Sequence, residues 1–128
     1  EESIMIQGCG VDLVEVKRFK TALKSGQAFM RRIFTKEELA YCKKKRMSPQ
    51  HLAARFAAKE AVAKAFGNRQ NLAMQWKDVW VENSKDGQPH VKLAGDAKKL
   101  NNRYKVKRIH LSLTHTDQFA IAMAVLEK

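Results

Sequence analysis

Two hydrophobic periods alternate along this chain, and the points where one replaces the other divide it into strands and helices. Ile4, Ile6 and Val11 around Gly8-Cys9-Gly10 predict a first strand whose glycines let another backbone approach closely near its end. Asp12 follows at a strand-to-helix junction, and Val16, Phe19, Ala22 and Leu23 recur at helical spacing as far as Gly26. Thr35-Lys36-Glu37-Glu38 reads as a capping box, with Phe34 and Leu39 placed as its hydrophobic staple. The short helix it starts runs through Tyr41 into the basic cluster Lys43-Lys44-Lys45-Arg46.

The longest helix occupies about Pro49 to Phe66, with Ser48-Pro49 as N-cap and first-turn proline and Gly67 as its stop. Leu52, Phe56, Ala63 and Phe66 fall on one side of it, and Ala54, Ala57, Ala58, Ala61 and Ala65 on the other. A helix apolar around most of its circumference is buried. Glu60 and Lys64, one turn apart on it, therefore need a reason to be there.

Beyond a polar, irregular stretch from Gly67 to Gln75, Trp76 to Glu82 alternates as a strand, and Asp86-Gly87 turns the chain into a second one around His90 to Leu93. Ala97 to Tyr104 predicts a helix. Arg108 to Leu113 and Phe119 to Leu126 predict two long strands joined across Thr114 to Gln118. Ala120, Ala122 and Ala124 line one face of the last strand, so a helix can pack close there. The expected architecture is α+β: a single domain over 1–128 with a mostly antiparallel sheet packed with helices.

Composition narrows the setting. With 128 residues, 45% of them hydrophobic, the chain can bury a substantial core, and no apolar run approaches a membrane span. The acidic start Glu1-Glu2-Ser3 leads directly into a strand-like segment and does not resemble a signal peptide. Cys9 and Cys42 lack zinc-site spacing, which favours a reduced, cytoplasmic setting. A formal net charge of +12 points instead to a polyanionic partner: nucleic acid, an anionic surface, a phosphorylated small molecule or an acidic protein.

Few residues could carry chemistry. Asp12 is an ordinary helix N-cap by position, and Glu60 with Lys64 makes an ordinary i,i+4 ion pair. Alternatively, Asp12 and Glu60 are two ligands of a hard cation such as Mg²⁺, whose remaining sites go to water and phosphate oxygens. Lys64 would then reach the same phosphates. His115, at the strand end in Ser112-Leu113-Thr114-His115, is either a polar cap or a site residue. Gly8-x-Gly10 lacks the rest of a nucleotide fingerprint. Nucleic-acid binding rests on charge alone, because no helix-turn-helix, RNP-type aromatic or zinc pattern accompanies it.

Four segments in order carry a resemblance: Gly8-Cys-Gly-Val-Asp12-Leu-Val-Glu15, Phe34-Thr35-x-x-Glu38, Arg55-Phe-Ala-Ala-Lys59-Glu60-Ala-x-Ala-Lys64-Ala-x-Gly67 and Ser112-x-x-His115. Together they resemble the holo-acyl-carrier-protein synthases, the small bacterial type of 4′-phosphopantetheinyl transferase, over nearly the whole chain. The resemblance implies that family's fold and a cytoplasmic enzyme of fatty-acid biosynthesis. Such an enzyme moves the phosphopantetheine arm of coenzyme A onto a serine of apo-acyl carrier protein, releasing adenosine 3′,5′-bisphosphate. It further implies Asp12 and Glu60 as Mg²⁺ ligands and Glu60, directly or through water, as the base. Lys64 and His115 would be catalytic beside Glu60, Lys64 steadying the diphosphate and protonating the departing phosphate; Ser112 and His115 would contact phosphate groups, and Arg55 with the cluster around Lys44 the 3′-phosphate. The acidic carrier would dock on Lys17, Arg18, Lys20 and Lys24, and the apolar faces of the last two strands would help close a homotrimer. Neither a nucleic acid nor a membrane is an expected partner. One departure is the loop Asn68-Arg69-Gln70-Asn71, which lacks a second glycine often present in relatives.

Overall fold

Three strands form the main sheet in the order β1–β5–β4, all antiparallel: β1 (Ile6–Glu15), β4 (Arg108–His115) and β5 (Phe119–Glu127). A two-stranded antiparallel ribbon, β2 (Val79–Asn83) with β3 (Pro89–Leu93), stands beside it. Five helices occur among the described residues: α1 (Val16–Leu23), α2 (Gln27–Ile33), α3 (Lys36–Lys43), α4 (Ser48–Ala65) and α5 (Gly95–Arg103). This computed structural model describes residues 3–67 and 75–128, so the expectation about the loop Asn68 to Asn71 lies outside the described residues. No helix among those described is long and apolar enough to cross a membrane.

Small side chains decide how α4 meets the sheet. A methyl group on Gly8 would fall 2.0 Å from the Ala65 carbonyl oxygen, and one on Gly10 would fall 2.1 Å from that of Ala61. Both are far inside van der Waals contact, so only glycine allows β1 to lie this close to α4. On the neighbouring strand Ala120, Ala122 and Ala124 are fully buried, and Leu126 beside them closes the same layer. The anticipated close approach is therefore real, and it brings the last three turns of α4 directly over the middle of β1.

Several boundaries differ from the sequence expectation. β1 does not end near Val11 but continues to Glu15, because β5 supplies partners throughout: Asp12 lies opposite Ala122 and Glu15 opposite Phe119. Asp12 is consequently a mid-strand residue, not the N-cap of α1; that position belongs to Glu15, whose side chain makes no capping bond. Ser48 likewise lies inside α4, one residue past its cap Met47, which also makes no side-chain cap. The segment Trp76–Asp78 is a single 3-10 turn, and the strand begins after it at Val79. Helix α2 was not anticipated. Its Phe29, Met30 and Ile33 have helical spacing, but seven residues hold too few repeats to show a period.

The second half of the core contains an ion pair. The Thr35 capping box forms as expected, with Glu38 Oε1 accepting the Thr35 amide at 3.0 Å. The same oxygen accepts from Lys59 Nζ at 2.8 Å, and Oε2 accepts the Val81 amide at 3.1 Å. Lys59 Nζ donates further to the carbonyls of Trp76 and Val79. Helices α3 and α4 are thereby joined to the 3-10 turn and to β2 through two side chains that are 1% and 0% exposed. All three ammonium protons are used, which is the condition under which a buried pair is tolerated.

Candidate active site

Lys64 departs from the sequence expectation. It pairs with Asp12, Nζ to Oδ1 at 3.0 Å, and donates also to the Val11 carbonyl at 3.1 Å. The Asp12 carboxylate and the Val11 carbonyl give its ammonium two acceptors on β1, and the glycine-mediated closeness of α4 to β1 puts them within reach. The charged residues that α4 buries are therefore Arg55 and Lys59, each 2% exposed, whereas Glu60 is half-buried and Lys64 exposed. The Glu60 carboxylate has no hydrogen bond or ion pair with any other described residue.

Burial first, and then the neighbouring Asp12 carboxylate, raise the pKa of Glu60 above the ordinary glutamate value; Lys64 works in the opposite direction. Two carboxylates, Asp12 raising the proton affinity of Glu60, with Lys64 as the cation beside them, are a donor set short of positive charge. No group of three or more His, Cys, Asp or Glu side chains converges among the described residues. Two neighbouring, partly buried carboxylates nevertheless suit a hard divalent ion that fills its remaining positions with water and substrate oxygens. The arrangement can hold such an ion, place an ammonium beside a bound phosphate and present a carboxylate with raised basicity.

His115 ends β4 and is half-buried. Its ring meets that of His51, from the first turn of α4, edge to face with centroids 5.0 Å apart, and its Nδ1 is buried without a partner among the described residues. The His51 pKa is lowered by burial, then by the charges of His115, Arg55 and Lys45. A hollow of about 220 Å³ opens beside His115, walled mainly by Leu13, Phe119 and Ile121. His51 was not singled out in the sequence, where no motif contains it; only its place one turn before Arg55 marks it.

Ser112 occupies the opposite face of β4 from His115, exposed and level with Met123. Within one chain these two residues are not brought together. Arg55 is enclosed: it donates to the His51 carbonyl at 3.3 Å and to Asn83 Oδ1, and its guanidinium lies 4.5 Å from the centre of the Tyr41 ring. Tyr41 also carries Lys45 on its ring at 4.7 Å, while Lys44 is exposed at the end of α3. Lys17, Arg18, Lys20 and Lys24 are all exposed around α1, which has no acidic residue in its first turn. Because α1 begins directly where β1 ends, this basic face starts a few residues from Asp12.

Comparison with known proteins identifies the family. The family model of the 4′-phosphopantetheinyl transferase superfamily matches residues 8–124. The holo-acyl-carrier-protein synthase of Geobacter sp. strain M21 is 44% identical over 125 residues, covering 97% of this chain and 100% of the Geobacter protein. Among solved structures, the holo-acyl-carrier-protein synthase of Neisseria meningitidis superposes with a TM-score of 0.88 at 34% identity, covering 97% of this chain and 100% of that one. The Bacillus anthracis synthase, solved in complex with coenzyme A (3′,5′-ADP), gives 0.79 at 33% identity, covering 97% and 98%. With a family-model match from residue 8 to 124 and 44% identity over nearly its full length to a curated relative, the chain belongs to the holo-acyl-carrier-protein synthases of the 4′-phosphopantetheinyl transferase superfamily.

Proposed function

We propose that this protein transfers the 4′-phosphopantetheine group of coenzyme A to a serine hydroxyl of an apo-acyl carrier protein in a Mg²⁺-dependent reaction, releasing adenosine 3′,5′-bisphosphate and serving fatty-acid biosynthesis in the cytoplasm. The observation that carries the reading is the Asp12–Lys64 contact beside a half-buried Glu60 of raised pKa. Asp12 and Glu60 would hold the Mg²⁺, which when bound offsets the charge of the diphosphate. Breaking a P–O bond needs chiefly positioning and charge stabilisation. Lys64 lies where it can stay paired with Asp12 or turn to a phosphate oxygen, since its side chain is 42% exposed. Glu60 is suited to accept the serine proton, directly or through water, because burial and Asp12 raise its affinity for a proton.

Lys17, Arg18, Lys20 and Lys24 form the docking face for the acidic carrier, whose serine is thereby led toward Asp12. Lys44 is the exposed cation available to the 3′-phosphate, and enclosed Arg55 acts by holding Tyr41 and the chain around it. The outer face of the sheet presents Val11, Leu13, Phe119, Ile121 and Met123, between 38% and 60% exposed. A homotrimer that covers this face would also place Ser112 at a boundary between copies. That apolar face is made by β5 and β1 and not by the last two strands, because β4 turns Ile109, Leu111 and Leu113 to the core and exposes Arg108, His110, Ser112 and Thr114.

Intact-mass measurement of an apo-acyl carrier protein incubated with the enzyme, coenzyme A and Mg²⁺ tests the function. The expected result is one phosphopantetheine adduct, abolished by chelator and restored by added Mg²⁺. An unmodified carrier under all conditions would overturn the reading.

A further inference from the structure

Away from Asp12, Glu60 and Lys64, α2, α3 and α4 line a cavity of about 330 Å³. Its burial gradient is clear. Leu52 of α4 is 5% exposed, Met30 of α2 and Leu39 of α3 are half-buried, and Arg31 and Lys43 are exposed. Apolar side chains therefore make the floor, and one cation from each of α2 and α3 stands at the mouth with the Ser48 side chain between floor and surface. No carboxylate lines it. Arg31 donates to Gln27 Oε1 at 3.1 Å, a neutral acceptor that leaves its charge uncompensated.

A small, mostly apolar cavity with a few convergent polar groups is the ordinary form of a small-molecule site. A neutral apolar ligand would gain nothing from the paired cations, and a multiply charged phosphate would gain nothing from the floor. We infer that this cavity binds a single-chain amphiphilic anion, a medium-chain fatty carboxylate whose tail lies on Met30, Leu39 and Leu52 and whose head group pairs with Arg31 and Lys43. Leu52 lies eight residues before Glu60 on α4, about 12 Å at 1.5 Å per residue, so the cavity is separate from the Asp12–Glu60 pair. The inference stands whether or not the transfer reaction above is correct.

The test is titration of the intact protein with decanoate, followed through selectively labelled methionine methyl groups. The Met30 methyl should shift saturably, while that of Met123, exposed on the outer sheet face, should not. Decanol and decyltrimethylammonium, with the same tail but no negative charge, should bind roughly tenfold more weakly or worse. Arg31→Glu and Lys43→Glu change exposed residues and should each weaken decanoate binding by about the same factor while preserving the melting temperature. Saturating coenzyme A should not displace decanoate. Equal binding of the cationic amphiphile, a shift at Met123 in place of Met30, indifference to both charge reversals, or displacement by coenzyme A would each overturn the inference.

Discussion

Helix α4 carries two lysine–carboxylate pairs of similar length and opposite character. Lys59 meets Glu38 at 2.8 Å with both side chains at 1% exposure or less, and Lys64 meets Asp12 at 3.0 Å with 42% and 16% exposed. In the first pair every ammonium proton has an acceptor, and both carboxylate oxygens accept hydrogen bonds. In the second, Asp12 shares its surroundings with another carboxylate, Glu60, and neither is closed off by protein. Five residues along one helix separate a contact that fixes the fold from one that leaves valence for a ligand. Completeness of hydrogen bonding, more than distance, distinguishes them.

The largest effect should come from breaking the closed pair. Glu38→Ala strands the Lys59 ammonium in the core, orphans the Val81 amide and removes the capping box, at a cost of about 3–5 kcal/mol in denaturant unfolding. Joint replacement Glu38→Leu and Lys59→Met should recover much of that loss, since no unpaired charge remains. A loss below about 1 kcal/mol for Glu38→Ala would put this pair in the exposed class and remove the contrast.

The open pair should behave oppositely. Glu60→Gln keeps the shape of the side chain and should lower the rate of carrier modification roughly 10²- to 10⁴-fold, with the unfolding transition nearly unmoved. Asp12→Asn should act in the same direction, and chelator should lower the rate of the wild type without further lowering that of either variant. Full activity in both variants at limiting Mg²⁺ would take these carboxylates out of the chemistry.

Much of this contrast was legible in the sequence, though not the assignment of its members. The glycines at 8 and 10 and the alanines at 120, 122 and 124 announced a helix lying close to a strand, and that closeness is what assembles Asp12 with Glu60 and Lys64. The spacing of Thr35 and Glu38 announced a capping box, which formed. It could not show that Glu38 also reaches Lys59 and Val81, because those partners depend on α3 packing on α4 and β2. A pair four residues apart suggested Glu60 with Lys64, and local spacing misled: Lys64 reaches β1, 52 residues away in sequence. Asp12 misled similarly, since the strand continues three residues past it wherever β5 offers partners.

A smaller effect sharpens the comparison on stability alone. Lys64→Met should change unfolding free energy by less than about 1 kcal/mol, because a pair this exposed is screened by solvent and was worth little to folding. Lys59→Met without change at Glu38 should cost several times more, leaving a buried carboxylate without its cation. Equal losses at the two positions, measured by the same denaturant titration, would show that exposure does not separate the pairs.

The smallest effect concerns pH. Burial and Asp12 raise the folded-state pKa of Glu60 above its unfolded value, so the native state retains a proton where the unfolded chain has lost it. Stability from this group is then fully present below the ordinary glutamate pKa and is lost as pH rises through the raised one. Glu60→Gln cannot titrate, so in metal-free buffer it should gain on the wild type across that window and keep a constant advantage above it. Mg²⁺ at neutral pH should reverse the order, because an ion that binds only the folded state stabilises the wild type by RT ln(1 + c/Kd), with c the free Mg²⁺ concentration. The same proton affinity that costs the empty site stability is what a carboxylate requires to serve as a base. If the difference between variant and wild type stayed flat with pH in chelator and with added Mg²⁺, Glu60 would be neither strained by Asp12 nor a ligand, and the open pair would be only another surface ion pair.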